Sequence, residues 1–470
     1  MKRIMLTIIF VIPSLISFAG CALINPTNPY PDVTRTQVQT ESRAVSRSKI
    51  DTENKSITLS DAIGIALENN PSVAEARHET DAASARHAQA FARALPKIDA
   101  TGGYTHDMDD QRLMPAHYNG EPGVFGDDIY SAEMVLTQPL FTGGRLINGI
   151  SAAKLLEQAA VHRLSRTREE LVFNVSSTFY TILAQREIVG ALKFSKKALD
   201  EHLKQVNNLI ANKKASRVDR LRIKVRIADI VQRLTLAENM LSIQKRVLTN
   251  LMGASDTRGA LTITGDLNKG PSGPVDMDRN INMAFKLRTD YMAARAALEA
   301  TAKKVDAARA GHWPSISLQG SYGERWSDDP SVYPPGTNAS DDMGRIGVFV
   351  NIPIFESGLI SARVREERAA LYAAGEKLRA LELGIRLDVQ TAVLNIDTDI
   401  KRIHTTEKAI DQAKESLRIE RKKYNYGKGS ITDVLDAQSS MLDSQTNYYK
   451  ALVDYNTALA QLRLATGVIK

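Results

Sequence analysis

Two copies of one unit run through this chain. Leu95-Pro96 through Gly103-Tyr104 is matched 218 residues later by Trp313-Pro314 through Ser321-Tyr322. Gln138-Pro139-Leu140-Phe141-Thr142-Gly143-Gly144 is matched 214 residues later by Ile352-Pro353-Ile354-Phe355-Glu356-Ser357-Gly358. The 214 offset also carries Asp219 onto Asp433 and Leu251-Met252-Gly253 onto Ala465-Thr466-Gly467. A duplication of this kind overrides the domain count that 470 residues alone would suggest. It divides the chain into a first repeat at 56–270 and a second at 271–470.

Each copy reads as helix, strand, loop, strand, long helix, helix. Val434, Met441, Tyr448, Tyr455 and Leu462 stand seven apart, and the same frame 214 residues earlier reads Ile227, Leu234, Leu241 and Leu248. A strict seven-residue apolar repeat implies a left-handed coiled coil. No proline falls between Gly144 and Asn212, or between Gly358 and Tyr426. At about 1.5 Å per residue each stretch reaches roughly 100 Å if continuous. That suits a tube and not a compact globule.

The strand segments, expected at about 97–108, 129–141, 314–326 and 344–355, alternate. Ile316, Leu318, Gly320 and Tyr322 are interleaved with Ser315, Ser317, Gln319 and Ser321, while Ile346, Val348, Val350, Ile352 and Ile354 share one face. In the first copy Ala132, Met134, Leu136 and Leu140 oppose Ser131, Glu133, Val135 and Thr137. Such alternation fits a lipid-facing barrel with a wet lumen, and equally a half-buried soluble sheet. Four strands cannot close a barrel, and lipid does not tolerate an open edge, so a membrane reading requires strands from several chains. The loops between strands, near Asp107 to Asp128 and Arg325 to Met343, are rich in Asp, Gly and Pro and are expected to face solvent. Trp313 and Tyr104 fit either an interfacial aromatic girdle or ordinary packing.

At the N-terminus Lys2 and Arg3 precede an apolar run from Ile4 to Phe18, a signal-peptide layout over 1–20. It ends in Phe18-Ala19-Gly20-Cys21, where two small residues stand before the one cysteine of the chain. This resembles the lipobox of bacterial lipoproteins, with Phe18 in place of the usual leucine. The resemblance implies acylation of Cys21, palmitate included, and Ala22 after it implies sorting to the outer membrane. Residues 21–55 are polar, with Pro26, Pro29 and Pro31, and read as an extended tether. A lone cysteine excludes an intramolecular disulfide framework and a cysteine-cluster metal site.

Three segments together resemble the TolC-like outer-membrane efflux protein family across almost the whole chain after the tether. They are Leu59-Ser60-Asp61-Ala62 to Leu67-Glu68-Asn69-Asn70-Pro71, the Gln138 to Arg145 segment, and Tyr424-Asn425-Tyr426-Gly427 with Ile431-Thr432-Asp433-Val434-Leu435-Asp436-Ala437. The resemblance implies a mostly α fold with a small β part. In it a homotrimer closes a 12-stranded transmembrane β-barrel, four strands per chain, continuous with a periplasmic α-helical coiled-coil barrel. It implies a passive exit duct for drugs, other small toxic compounds, metal ions or polypeptides, docked on a periplasmic adaptor protein and an inner-membrane pump and seated in outer-membrane lipid. It also implies that Asp433 and Asp436 narrow the periplasmic entrance, with Tyr424 and Asp219 in the closing network. Gly429 stands where that network has an arginine, and Lys213 replaces a turn glycine.

Read from the residues alone, Ser430 and Asp433 form a capping-box pattern, Asp436 is a surface charge one turn on, and Gly427 and Gly429 serve turn geometry. Pro139, Gly143, Gly144, Pro353 and Gly358 mark the repeat. The Gly-Lys-Gly-Ser string at 427–430 lacks the order of a phosphate loop. Eight histidines (His78, His87, His106, His117, His162, His202, His312, His404) form no zinc-protease spacing, and no nucleophile elbow or dinucleotide fingerprint occurs. No enzyme activity, cofactor or metal is expected. The charge balance of +7, with 24% charged and 43% hydrophobic residues, carries no basic arm for nucleic acid. The rival reading is a lipid-anchored periplasmic coiled-coil scaffold without a channel.

Overall fold

The computed structural model describes residues 49–51, 56–113, 124–213, 215–254, 256–258, 262–267, 275–327 and 340–468. Cys21, the signal segment, most of the tether and the tips of both strand-joining loops lie outside them. The first copy contributes α1 (Leu59–Asn69), α2 (Pro71–Ala92), β3 (Lys97–Arg112), β4 (Phe125–Phe141), α3 (Arg145–Ala211) and α4 (Arg217–Leu251). The second contributes α5 (Met277–Leu287), α6 (Thr289–Arg309), β7 (Ser315–Trp326), β8 (Ser340–Asn351), α7 (Leu359–Asn425) and α8 (Ile431–Thr466). Short strands β1 (Lys49–Asp51) and β2 (Ser56–Ile57) pair in parallel with β5 (Asp256–Arg258) and β6 (Thr262–Ile263), joining the start of the first copy to its end, where the second copy follows.

The four long strands form one antiparallel sheet in the order β3-β4-β7-β8. Beneath it α2, α3, α6 and α7 stand side by side, each packed on the next. The helices α3 and α7 are each 67 residues long, which at about 1.5 Å per residue is roughly 100 Å. Both begin on a left-handed glycine, Gly144 at φ 91° and Gly358 at φ 83°, which turns the chain from strand into helix. Among the described residues no helix is long and apolar enough to cross a membrane.

The coiled-coil seam differs in detail from the expected frame. In α4 Leu248 is fully buried as expected, but earlier along the helix the buried positions are Ile223, Ile230 and Ala237, with Ile227, Leu234 and Leu241 flanking them. Together they run 4-3-4-3-4, so both rows belong to one knobs-into-holes seam. In α8 Val434, Tyr448 and Tyr455 are buried as expected, while Met441 is only partly so. Strand limits also shift. β8 stops at Asn351 and not near 355, because Pro353 has no N–H to continue a ladder, and Ile354 is fully exposed beyond it. β3 and β4 run past the expected ends to Arg112 and Phe125 through a register shift between His106 and Gln111.

The repeat closes on itself at equivalent places. The Asn70 side chain caps α2 by accepting from Ser72 N–H (2.9 Å) and donates to the Leu251 carbonyl (2.9 Å) at the end of α4. In the second copy Arg288 occupies the same junction and reaches the Ala465 carbonyl (3.4 Å), held by Asp290 (2.7 Å) and Asp388 (2.8 Å). The returning chain must pass close beneath these loops. A Cβ on Gly253, at φ 76°, would lie 2.3 Å from the Asn69 carbonyl oxygen, and one on Gly467, at φ 73°, 2.8 Å from the Leu287 carbonyl carbon. Gly253→Ala should therefore lower the thermal midpoint of the detergent-solubilised protein, by more than about 1 kcal/mol of stability. Gly190→Ala, in open space on α3, should raise it slightly. Equal shifts of the same sign would refute this.

Candidate functional site

Two parts of the fold carry the candidate function: the faces of the sheet and the helix turns at the far end. Strand pairing aligns Ile98, Leu136, Gly320 and Ile346 in one row, and Ala100, Met134, Tyr322 and Gly344 in the next. This face is apolar and uncovered in one chain; Ile346 is 77% exposed, and Ile98, Met134, Val348 and Val350 are exposed as well. Towards the loops it ends in an aromatic row, Tyr104, Tyr130 and Trp326, with ring centroids 5.1 and 5.8 Å apart. The opposite face presents Asp99, Thr101, Ser131, Glu133, Thr137, Ser317, Gln319, Ser321 and Arg345, interrupted by Val135 and Phe349. An apolar band ending in aromatics on one side, with a polar surface on the other, is the pattern of a transmembrane barrel wall. Tyr104 takes its place in that row. Trp313 instead stands at the junction of sheet and helices, where its Cβ fills the space a side chain on Gly143 would need. Pro139 marks the bulge where β4 and β7 change register.

Just beyond the aromatic row Asp128 accepts from the Tyr104 hydroxyl (2.6 Å) and pairs with His106 Nδ1 (2.9 Å). With Asp127 these side chains bring donor atoms within 4.8 Å of one another, the described group best suited to a cation. The hydrogen bonds already account for the arrangement as a clasp at the strand ends.

At the other end the α3–α4 and α7–α8 turns share a positive-φ residue and a capping box. Lys213 adopts φ 55° where Gly427 adopts φ 69°, so the lysine fills a turn-glycine position at the cost of a strained backbone. Gly429 serves a close approach: a Cβ there would sit 3.0 Å from the Lys423 Cβ. Asp219 and Asp433 are both capping-box residues, each accepting from the N–H of its N-cap serine, Ser216 or Ser430, at 3.1 Å. Asp436 is exposed one turn along. Tyr424 lies between the turns, its hydroxyl buried with no hydrogen-bond partner among the described residues. Burial raises its pKa, and the Asp219 charge adds to the effect.

Sequence reasoning missed two neighbours of this cluster. The ring of His202 packs edge-on against Tyr424 at 5.3 Å, and Arg222 donates to the Thr432 hydroxyl at 2.8 Å, linking α4 to α8. The one available signal was helical spacing: His202 lies four residues before Val206, on the buried stripe of α3.

The model for the outer membrane efflux protein family matches residues 62–254 and 280–468. The chain belongs to that family. Its place is the outer membrane and its work is efflux. Both copies of the unit are covered, so the match spans the helical columns and the sheet alike. The outer membrane protein TolC of Vibrio cholerae is 24% identical over 87% of this chain and 91% of its own length. The probable outer membrane lipoprotein SilC of Salmonella typhimurium is 24% identical over 87% of this chain and 85% of its own. The crystal structure of VceC, an outer membrane protein of Vibrio cholerae, shares the fold with a TM-score of 0.72 at 19% identity, covering 87% of this chain and 96% of that one.

Burial lowers the pKa of His202 from its ordinary 6.5; the Arg421 charge lowers it further, while the hydrogen bond to Gln205 opposes both. The unfolded chain then binds a proton more readily than the folded one, so stability present above about pH 6.5 is lost as pH falls below it. Between about pH 7.5 and pH 5.5 the thermal midpoint should fall more in the native protein than in His202→Gln. Identical slopes would refute the assignment.

Proposed function

We infer that three copies of this chain form the exit duct of a tripartite efflux system, with a periplasmic adaptor and an inner-membrane pump as partners. The observation that carries the reading is the sheet, which is apolar on one face and open at both edges. β3 and β8 each have a single neighbour within the chain. In lipid every backbone N–H and C=O needs a partner, so β8 of one copy must pair with β3 of the next. Three copies close a ring of twelve strands, four from each chain. The helical columns close beneath it in the same way, covering apolar side chains exposed in one chain, among them Phe194, Val225, Leu236, Leu383 and Leu387.

Acylated Cys21 anchors the assembly in the inner face of the outer membrane, in keeping with the likeness to SilC, a probable outer membrane lipoprotein. The duct is passive, and the pump supplies the energy. Its cargo is drugs or other small toxic compounds, metal ions or polypeptides. At the periplasmic end Asp433 and Asp436 of three chains form a cation-attracting ring, with Tyr424 and Asp219 in the contacts that hold the turns together.

Fused to an ordinary secretion signal, Cys21→Ser should still yield a heat-modifiable trimer that needs detergent and conducts ions in planar bilayers. A water-soluble product would instead support the scaffold reading. For the entrance, Asp433→Asn with Asp436→Asn keeps a side-chain acceptor for the Ser430 N–H while removing charge. The double variant should lose divalent-cation block of single-channel current; undiminished block would reject the ring.

A further inference from the structure

Where the sheet meets the helices there is a cavity of about 730 Å³. Four basic side chains line it, one from each column or its end: Arg93, Arg145, Lys304 and Arg363. Two acids, Glu356 and Glu367, also line it, leaving a surplus of two positive charges per chain. None of the four cations makes an ion pair or side-chain hydrogen bond among the described residues.

The side on which this cavity opens can be read from its walls. Ser315 and Asn351, the strand residues in its lining, belong to the polar face of the sheet and not to the apolar one. The columns α2, α3, α6 and α7 form a single layer, and the polar strand face in the same lining marks which side of that layer the cavity occupies. In α6 the lining positions Lys304, Ala307 and Ala308 stand three and four residues apart, one stripe of one helix. The cations therefore face the lumen of the duct.

We propose that this collar binds organic anions in transit: compounds with a sulfonate, phosphate or carboxylate group on an apolar or aromatic body. Unpaired like charges around a shared space repel one another and gain from an anion placed between them. The volume falls within the range of about 300–1,000 Å³ usual for small-molecule sites. The walls between the charges mix polar Thr142, Ser315 and Asn351 with apolar Leu146, Ile150 and Ile360, and Trp313 adds an aromatic side chain to the lining. The acidic periplasmic entrance would admit these compounds poorly on its own, so the collar gives them a favourable station further along. The proposal rests on the reading of the chain as a duct.

The test is single-channel recording on the reconstituted trimer, with 1-naphthalenesulfonate added from the extracellular side and neutral 1-naphthalenemethanol as control. The sulfonate should block current in a voltage-dependent manner and the alcohol should not. In Arg145→Gln with Arg363→Gln the blocking concentration should rise about tenfold, as expected for the loss of charge-assisted contacts. Lys304→Gln and Arg93→Gln, made singly, should each raise it several-fold, and they decide the matter if the double variant does not insert. Equal block by the alcohol, or block unchanged across the variants, overturns the proposal. A protein that forms no channel at all defeats the duct reading. Quenching of tryptophan fluorescence by the sulfonate in the detergent-solubilised protein then still decides whether the collar binds it.

Discussion

The unpaired edges of β3 and β8 are the constraint from which the rest of this structure follows. A strand edge exposes a row of N–H and C=O groups, and hydrocarbon offers them nothing. The apolar face carrying Ile98, Met134, Ile346 and Val350 calls for lipid, and lipid in turn forbids the edges from remaining open. The chain is thus incomplete alone, and its assembly is a matter of hydrogen-bond accounting as much as of apolar contact.

The helical half answers to a different pressure. Two columns of 67 residues gain little from intrinsic propensity and hold together through seams along their length. The junctions where the shorter helices return are fixed by contacts repeated in both copies. Asn70 on the Leu251 carbonyl and Arg288 on the Ala465 carbonyl do one task with two chemistries. The second is the costlier solution, since it buries a guanidinium that only Asp290 and Asp388 make tolerable. Gly253 and Gly467 are conserved between the copies for a simpler reason: there is no room for a Cβ.

Much of this was legible from residue order. The offsets of 218 and 214 predicted paired elements, and the elements are paired; Gly144 and Gly358, which mark the repeat, both adopt left-handed backbone before α3 and α7. The pattern Ser430 to Asp433 predicted a capping box, which is present and has a twin at Ser216 and Asp219. The C-terminal end of β8 falls short of the expected limit because alternation of Ile352 and Ile354 continues past the point where Pro353 ends the ladder. In α4 the expected frame meets the buried interior at Leu248 but flanks the most buried row at Ile227, Leu234 and Leu241, because seven-residue spacing does not by itself say which of two neighbouring rows faces inward.

What residue order determined, then, were the properties that depend on local spacing: the duplication, the strand alternation, the helix lengths, the caps and the turns. Tertiary structure alone decided which distant residues share a place. His202 meets Tyr424, Arg222 meets Thr432, and four basic side chains from four columns surround one cavity, because the twist and packing of long helices set those meetings. A pattern along one chain carries the period of an element, whereas the rotation of one element against another emerges only when both are packed.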